Sequence, residues 1–244
     1  MILFYSPFHT FVHKVLVTAH ECGHWDDLER VAVFPFKNFD GVDQGDAYDI
    51  SALNPLDKVP TLALESGQVI YGSQAICEYL DLIAKTGKMY PQPGPARWDA
   101  IVRLALCDTI FEQTVVMVAE QWKPEAEWNI GLFEWLWPKF IKGLDKLERD
   151  AERGWDGFDV GHASMLHAIS YLGFRAEFYE ATDPIYPNFA WREGRPALSA
   201  WFDEAVTRPS VQSHYMKDFE GDSSPARCQA KAQDVLEAQR RNGL

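Results

Sequence analysis

Short apolar runs alternate with segments of helical spacing in the first third of this chain, and after that only helical spacing continues. Each run is short and ends at turn-forming residues, which is typical of strands. The runs lie at 2–5, 31–33, 61–64 and 69–71. The helical segments lie at 10–23, 45–53 and 73–84. The predicted order is therefore β-α-β-α-β-β-α, in which a right-handed crossover makes the first two strands parallel and a tight turn makes the last two antiparallel.

This order predicts a thioredoxin-like domain over residues 1–84. Residues 85–97 are rich in proline and glycine and predict a linker. Residues 98–216 lack strand signals and predict an all-helical bundle, so that the fold class is α/β plus all-α. Residues 217–244 form a C-terminal extension that we expect to be partly helical, since Pro225 and Gly243 supply start and stop signals. Docking on its own domain, binding to a partner and fraying are the three alternatives for it.

Charge and composition exclude several classes of function. Lys plus Arg number 23 and Asp plus Glu number 36, which gives a net charge of −13 and argues against nucleic acid or an anionic membrane as the main partner. The four cysteines are far apart, so a reducing compartment and no metal site are expected. The chain has no apolar run long enough to span a bilayer and starts in a strand, so we expect a cytoplasmic protein without membrane insertion.

The stretch 54–81 carries the most specific pattern in the chain. Pro60 directly precedes a strand, where a proline either lies at a sheet edge or takes the cis form, leaving the Val59 backbone free to pair with an extended peptide. We expect Ser73 to cap the following helix. The free N–H groups of its first turn, with the positive end of the helix dipole, form a carboxylate site.

This stretch resembles the glutathione-binding half of the glutathione transferases. The match comprises Asn54, Pro55, Lys58, Val59, Pro60, Leu62, Ser73, Ile76, Glu78, Tyr79 and Leu80. The resemblance implies that Val59 and Pro60 hold the cysteinyl backbone of glutathione, Ser73 the γ-glutamyl carboxylate and Lys58 the glycine carboxylate. Gly72 stands where the family has an acid that contacts the ligand ammonium. Lys58 as a solvated lysine and Ser73 as a simple cap are the alternatives.

The opening of the chain, YSPFHTFVHKV, also resembles bacterial glutathione transferases. The serine that activates the thiol in those relatives aligns with His9, the next proline with Thr10, and an arginine with His13. An imidazole N–H, an imidazolium or the Thr10 hydroxyl would each favour the thiolate, which is the nucleophile. We therefore assign His9 or Thr10 as the catalytic group. The alternative is that Thr10 only caps the first helix and His9 is a surface residue.

The resemblance extends over residues 1–215 and implies further properties. The fold would be the glutathione transferase fold, the assembly a homodimer, and the acceptor pocket an apolar cleft between the domains. Its candidate lining residues are Phe8, Thr109, Glu112, Gln113 and Trp122. Asp108 and Glu112, one helical turn apart, would form an acidic pair that compensates for Gly72. In the family the helix at 159 has an Asp three residues after its cap, where this chain has His162.

Three functions fit these observations. The first is a glutathione transferase that adds the thiolate of glutathione to a hydrophobic electrophile. The second is a non-catalytic interaction module with a protein partner, as in the FzlA-like relatives that bind the division filament protein FtsZ; His9, Gly72 and the extension favour it. The third is a glutathione-dependent lyase or dehalogenase of aromatic compounds, which shares the glutathione site of the first.

Overall fold

The computed structural model describes residues 1–7, 9–34, 50–121, 123–180, 191–212 and 225–241. The chain divides into two compact units. The first comprises Met1–Tyr90 with Met216–Leu244, and the second comprises Pro91–Tyr215. The C-terminal segment thus returns to the unit in which the chain begins.

The first unit contains a mixed sheet. Its strands are β1 (Ile2–Tyr5), β2 (Glu29–Ala32), β3 (Thr61–Ala63) and β4 (Val69–Tyr71). They lie in the order β2-β1-β3-β4. β1 is parallel to β2 and antiparallel to β3, and β3 is antiparallel to β4. This topology confirms the predicted thioredoxin-like arrangement, although β2 begins two residues earlier than its apolar run because polar Glu29 and Arg30 also pair with β1.

Two helices of this unit pack against each other, α1 (Thr10–Glu21) and α2 (Ser73–Leu82). Their buried apolar side chains recur at helical spacing, as in Val12, Val15, Leu16, Ile76 and Leu80. α1 ends before Gly23, which has φ +77°, a conformation that suits glycine. Most of the helix predicted over 45–53 lies outside the described residues, and its described end is a single 3-10 turn, Ile50–Ala52.

The described residues of the second unit form helices joined by turns, with no strand. Its helices are α3 (Pro95–Gln121), α4 (Ile130–Arg153), α5 (Val160–Glu180), α6 (Pro196–Ala205) and α7 (Pro209–Gln212). α3 and α5 approach closely at Gly161, where an added Cβ would lie 2.5 Å from the carbonyl oxygen of Ala100. Arg103 of α3 also donates to Asp159 Oδ2 at 3.1 Å, just before α5. No helix in the described ranges combines the length and apolarity that crossing a bilayer requires.

The last helix, α8 (Pro225–Arg241), packs against β2 of the first unit. Ala232 and Leu236 are its buried apolar residues among those whose side chains are described. Of the three alternatives for the extension, docking on its own domain is therefore the one observed for this helix, while residues 217–224 lie outside the described chain.

Candidate functional site

Strand register brings the predicted site segments together at one end of the strands of the sheet. Phe4 pairs with Thr61, and Thr61 pairs with Tyr71. The carboxyl ends of β1 and β4 therefore lie beside the amino end of β3. The segments that continue from these ends are 6–9, 59–60 and 72–73, which contain most of the residues predicted to bind glutathione.

The segment before β3 presents a free backbone edge. The Val59-Pro60 peptide bond is cis. Within the described chain, no hydrogen bond involves the Val59 N–H or C=O group. Val59 itself is 6 % exposed, so its side chain is anchored in the core while its main chain has bonding capacity left. These two groups can pair with the backbone of an extended peptide in the manner of an added strand.

Asn54 and Thr61 hold this segment in place. The Asn54 side chain is buried, and its Nδ2 donates to Lys58 O at 2.8 Å and to Thr61 Oγ1 at 3.1 Å. Thr61 Oγ1 donates in turn to Lys58 O at 2.8 Å. The Asn54 Oδ1 atom accepts from the Leu56 N–H group. Asn54 thus fixes both sides of the turn that carries Lys58, whose own side chain is exposed.

The start of α2 differs from the prediction that Ser73 is the cap. Gly72 is the N-cap, with φ +88° and ψ 118°, and Ser73 is the first helical residue. The cap conformation requires positive φ, which glycine adopts at little cost. Ser73 is 9 % exposed, and within the described chain neither its hydroxyl nor its N–H group has a hydrogen-bond partner. A hydroxyl and the N–H groups of a first helical turn remain a suitable carboxylate site.

His9 lies at the N-cap of α1 and makes no side-chain capping bond. Its ring stacks on Phe11 with centroids 5.6 Å apart. Burial, the neighbouring His13 and the Lys58 ammonium together lower the pKa of His9 to about 4. With this pKa the ring is uncharged at neutral pH, which favours a neutral N–H donor over the imidazolium alternative. The Lys58 ammonium is thus close enough to His9 to lower the pKa of its ring.

His13 positions the segment that precedes α1. Its Nε2 atom lies 3.0 Å from Pro7 O, and its side chain is buried. Burial also lowers the pKa of His13 to about 4, so this ring is neutral as well and donates Nε2–H to the carbonyl. Thr10 opens α1, but its side chain lies outside the described atoms, as does the whole of Phe8.

The predicted acceptor residues of the second unit lie on α3. Thr109 and Glu112 are exposed and Gln113 is half-buried, while Trp122 lies outside the described residues. The predicted pairing of Asp108 with Glu112 is wrong. Asp108 is buried, and one of its carboxylate oxygens accepts from Ser164 Oγ of α5 at 2.6 Å. Asp108 therefore joins two helices of the core and cannot replace the acid that is absent at position 72.

Cys22 of the first unit is a buried free cysteine. Burial, followed by the Asp81 carboxylate, raises the pKa of the Cys22 thiol to about 12, so this group does not supply a nucleophile at neutral pH. No cluster of His, Cys, Asp and Glu side chains suited to a metal ion occurs within the described ranges.

The sequence predicts positions for contact with the ligand, but it does not indicate which residues hold these positions in place. In the sequence Asn54 is part of a motif, Thr61 is part of a strand and His13 replaces an arginine. The bonds of Asn54 and Thr61 to Lys58 O, and of His13 to Pro7 O, come from the structure. An Asn four residues before a turn lysine is the available signal for the first pair, since an amide that becomes buried must be hydrogen-bonded.

Three comparisons with known proteins agree with this geometry. Residues 9–83 match the family model for the N-terminal domain of glutathione S-transferases. An uncharacterized GST-like protein, YibF of Escherichia coli strain K12, is 29% identical over 169 residues, 68% of this chain and 78% of the relative. Maleylacetoacetate isomerase of Pseudomonas aeruginosa is 26% identical over 175 residues, 67% of this chain and 74% of the relative.

A similar solved structure is that of a glutathione transferase family member from Pseudomonas fluorescens Pf-5, determined with bound glutathione. It is 30% identical, with a TM-score of 0.72, and the alignment covers 87% of this chain and 97% of that chain. The likeness extends well beyond the N-terminal domain and confirms the predicted fold.

Proposed function

Because this chain belongs to the glutathione transferase family, we propose that it binds glutathione where the carboxyl ends of β1 and β4 meet the amino end of β3. The thiolate of glutathione is then transferred to a hydrophobic electrophile. The observation that carries this proposal is the register of β1, β3 and β4. That register places the free Val59 backbone groups, the first turn of α2 and the segment leading to His9 together at one end of the strands. A tripeptide thiol with two carboxylates has a complementary group for each.

Three parts of this site would hold the tripeptide. The Val59 N–H and C=O groups pair with the cysteinyl backbone. Ser73 Oγ and the N–H groups at the start of α2 bind the γ-glutamyl carboxylate, since a helix amino end favours negative charge. The exposed Lys58 ammonium binds the glycine carboxylate and, because the turn is fixed by Asn54, stays beside the site. The Lys58 ammonium and the amino end of α2 thus provide local positive charge for an anionic ligand on a chain whose net charge is −13.

His9 would act on the sulfur as a neutral hydrogen-bond donor. A donor stabilises the thiolate relative to the thiol and so lowers the thiol pKa, with the released proton passing to solvent. The sulfur lone pair then forms a carbon–sulfur bond with the electrophile. In a substitution the leaving group departs with its bonding electrons, and in an addition the product takes up one proton. The Thr10 hydroxyl is the other candidate donor.

We propose an apolar electrophile, with Thr109, Glu112 and Gln113 as candidates for contacting it, together with Phe8 and Trp122. We also propose a homodimer located in the cytoplasm. Trp98 and Val102, one turn apart on α3, are 66% and 60% exposed, an apolar surface that a partner subunit would cover. Sedimentation of the purified chain tests the assembly, and a panel of aryl halides, enones and epoxides tests the acceptor.

Calorimetric titration with reduced glutathione tests the proposal. Parent protein should bind, and Ser73→Ala should weaken binding about tenfold, because a charge-assisted hydrogen bond is lost. Ser66→Ala, at a turn serine of the β3–β4 hairpin, is the matched control and should bind like the parent. Lys58→Met is paired with Lys142→Met, since both lysines are exposed. Equal affinities for the parent and Ser73→Ala would overturn the carboxylate assignment.

Gly72 keeps a second function open, because the N-cap has no side chain to contact the ligand ammonium. A fold retained as a non-catalytic interaction module would give no heat with millimolar glutathione. Release of halide or cleavage of an aryl ether in which a second glutathione removes the first from its conjugate, giving glutathione disulfide, would instead indicate the lyase or dehalogenase function. Thiolate absorbance across pH separates binding alone from activation.

A further inference from the structure

The outer edge of the sheet carries a set of backbone groups that β1 does not use. In the four-stranded sheet, β2 is one of the two edge strands and β4 is the other. Glu29 N–H donates to Met1 O at 3.0 Å and Val33 N–H donates to Tyr5 O at 2.8 Å, so the odd-numbered residues of this strand bond to β1. Because backbone groups alternate in direction along a strand, the N–H and C=O groups of Arg30 and Ala32 point away from the sheet.

One side chain of α8 occupies part of this edge. Gln239 Oε1 accepts from the Ala32 N–H group at 2.7 Å. Its Nε2 donates to Ala32 O in a longer bond of 3.5 Å. The carboxamide thus presents a donor and an acceptor to a single residue, as the peptide groups of a neighbouring strand would. A side chain therefore stands in for a strand at this position.

The buried apolar residues of α8, among those whose side chains are described, lie on one side of the helix. Leu236 is 3% exposed and Ala232 is fully buried, and together with Gln239 they form one stripe of the helix. Asp234, Glu237, Arg240 and Arg241, which lie outside this stripe, are exposed. Ala232, Leu236 and the Gln239 carboxamide are thus the buried apolar contact and the backbone-pairing contact that the described side chains of α8 make at this edge.

We propose that α8 is a detachable cover over a strand-pairing surface, and that the uncovered β2 edge pairs with the β2 edge of a second copy of this chain. Uncovered edges are templates for pairing, and covering them with a helix is a known protection. Arg30 and Ala32 each offer a donor and an acceptor, so an antiparallel pair of identical strands can match Arg30 of one copy with Ala32 of the other. That register uses every outward group of both residues and keeps the two Arg30 side chains apart.

Amide hydrogen exchange of the full chain, followed by NMR, tests whether α8 covers the β2 edge. In dilute solution the Ala32 amide of Gln239→Ala should exchange at least about tenfold faster than in the parent, because its acceptor is gone. Gln233→Ala is the matched control, since Gln233 bonds to Glu237 on the same helix. In this variant the Ala32 amide should exchange at the same rate as in the parent. If the Ala32 amide of Gln239→Ala exchanged at the parent's rate, the proposal that α8 covers this edge would be overturned.

Measurements at increasing protein concentration test whether a second copy of the chain pairs with the β2 edge. In Leu236→Asp combined with Gln239→Ala, raising the concentration should restore protection at Ala32 and newly protect Arg30, while sedimentation shows a doubling of the parent's assembly mass. Doubling with the two amides still unprotected would overturn the proposed surface. An unchanged mass at every concentration would overturn pairing between copies. Glutathione binding plays no part in these readouts, so the result is independent of the proposed function.

Discussion

Asp159 and His162 close a reciprocal hydrogen-bonded pair at the start of α5. The His162 N–H group donates to Asp159 Oδ1 at 3.0 Å, and the Asp159 N–H group donates to His162 Nδ1 at 3.2 Å. This is a capping box in which an imidazole takes the place of the usual carboxylate or amide. Burial lowers the pKa of His162, while the Asp159 carboxylate, whose Oδ1 lies 3.0 Å from Nδ1, acts in the opposite direction.

Replacing His162 should therefore separate its bonding role from its bulk. His162→Leu keeps an apolar side chain among Trp155, Phe158 and Trp201 but leaves the Asp159 N–H group without an acceptor. We expect a loss of about 1–3 kcal/mol in the free energy of unfolding. His162→Gln retains an acceptor and should lose less. Urea denaturation measures both, and equal losses would contradict the box.

Gly161, the next residue upstream, is predicted to tolerate no side chain. An added Cβ would lie 2.5 Å from Ala100 O, which is backbone and cannot turn away. Gly161→Ala should destabilise the second unit by about 1–3 kcal/mol through forced separation of α3 and α5. Gly131→Ala is the control, because its Cβ would meet its nearest atom at 3.5 Å, and it should be neutral or slightly stabilising.

His9 is predicted to act without becoming charged. Since its pKa is lowered to about 4, the profile of kcat/KM against pH should show no inflection near pH 6.5. His9→Ala should lower kcat/KM by about ten- to a hundredfold, the value of a hydrogen bond to an ionised group. His9→Ser should recover part of this loss. An inflection near 6.5 that disappears in His9→Ala would show instead that a cation is the catalyst.

Gly72→Glu should give the protein a contact for the ligand ammonium. An added Cβ meets nothing within 4 Å, but φ +88° strains any other residue, so absolute affinity mixes two effects. The ratio of affinities for glutathione and for its analogue without the amino group cancels the strain. We expect this ratio to rise about threefold to tenfold.

The control for this change is Gly67→Glu in the hairpin turn, which has φ +86° and the same added charge. Its affinity ratio should equal that of the parent. A ratio that rises equally in both variants would mean that net charge, and not position 72, controls recognition of the ammonium.

Acid should destabilise the first unit through His9 and His13. Both pKa values are lowered to about 4 in the fold, whereas an unfolded histidine titrates near 6.5. Between these values the unfolded chain binds protons that the folded chain does not, so stability falls as pH decreases from about 6.5 to about 4. The loss at pH 5 should reach up to about 2 kcal/mol per histidine.

Denaturation at pH 7.5 and 5 measures this loss. His13→Asn should reduce the difference between the two pH values, because one titrating group is removed while an amide can still donate to Pro7 O. His20→Gln, which changes a half-buried histidine in the last turn of α1, is the control. A difference unchanged in His13→Asn would assign the acid sensitivity to other groups.

The sequence by itself determined the strand order, the β3–β4 hairpin and the position of α2. These features depend on residues that are close in the chain, where periodicity, prolines and turn residues act locally. The residues proposed to contact the ligand are predicted on the same basis, since Val59, Pro60, Gly72 and Ser73 belong to short segments. The predicted cap is one residue from the observed one, because Gly72, with φ +88°, is the N-cap and Ser73 begins the helix.

Tertiary structure decided which polar side chains meet across long separations. Asp108 bonds to Ser164, 56 residues away, and Gln239 bonds to Ala32, 207 residues away. Nothing local distinguishes a buried Asp from an exposed one on the same helix, since burial depends on which helix packs beside it. The neutral state of His9 is set in the same way. Its pKa depends on burial and on His13 and Lys58, and these come together only when the sheet has formed.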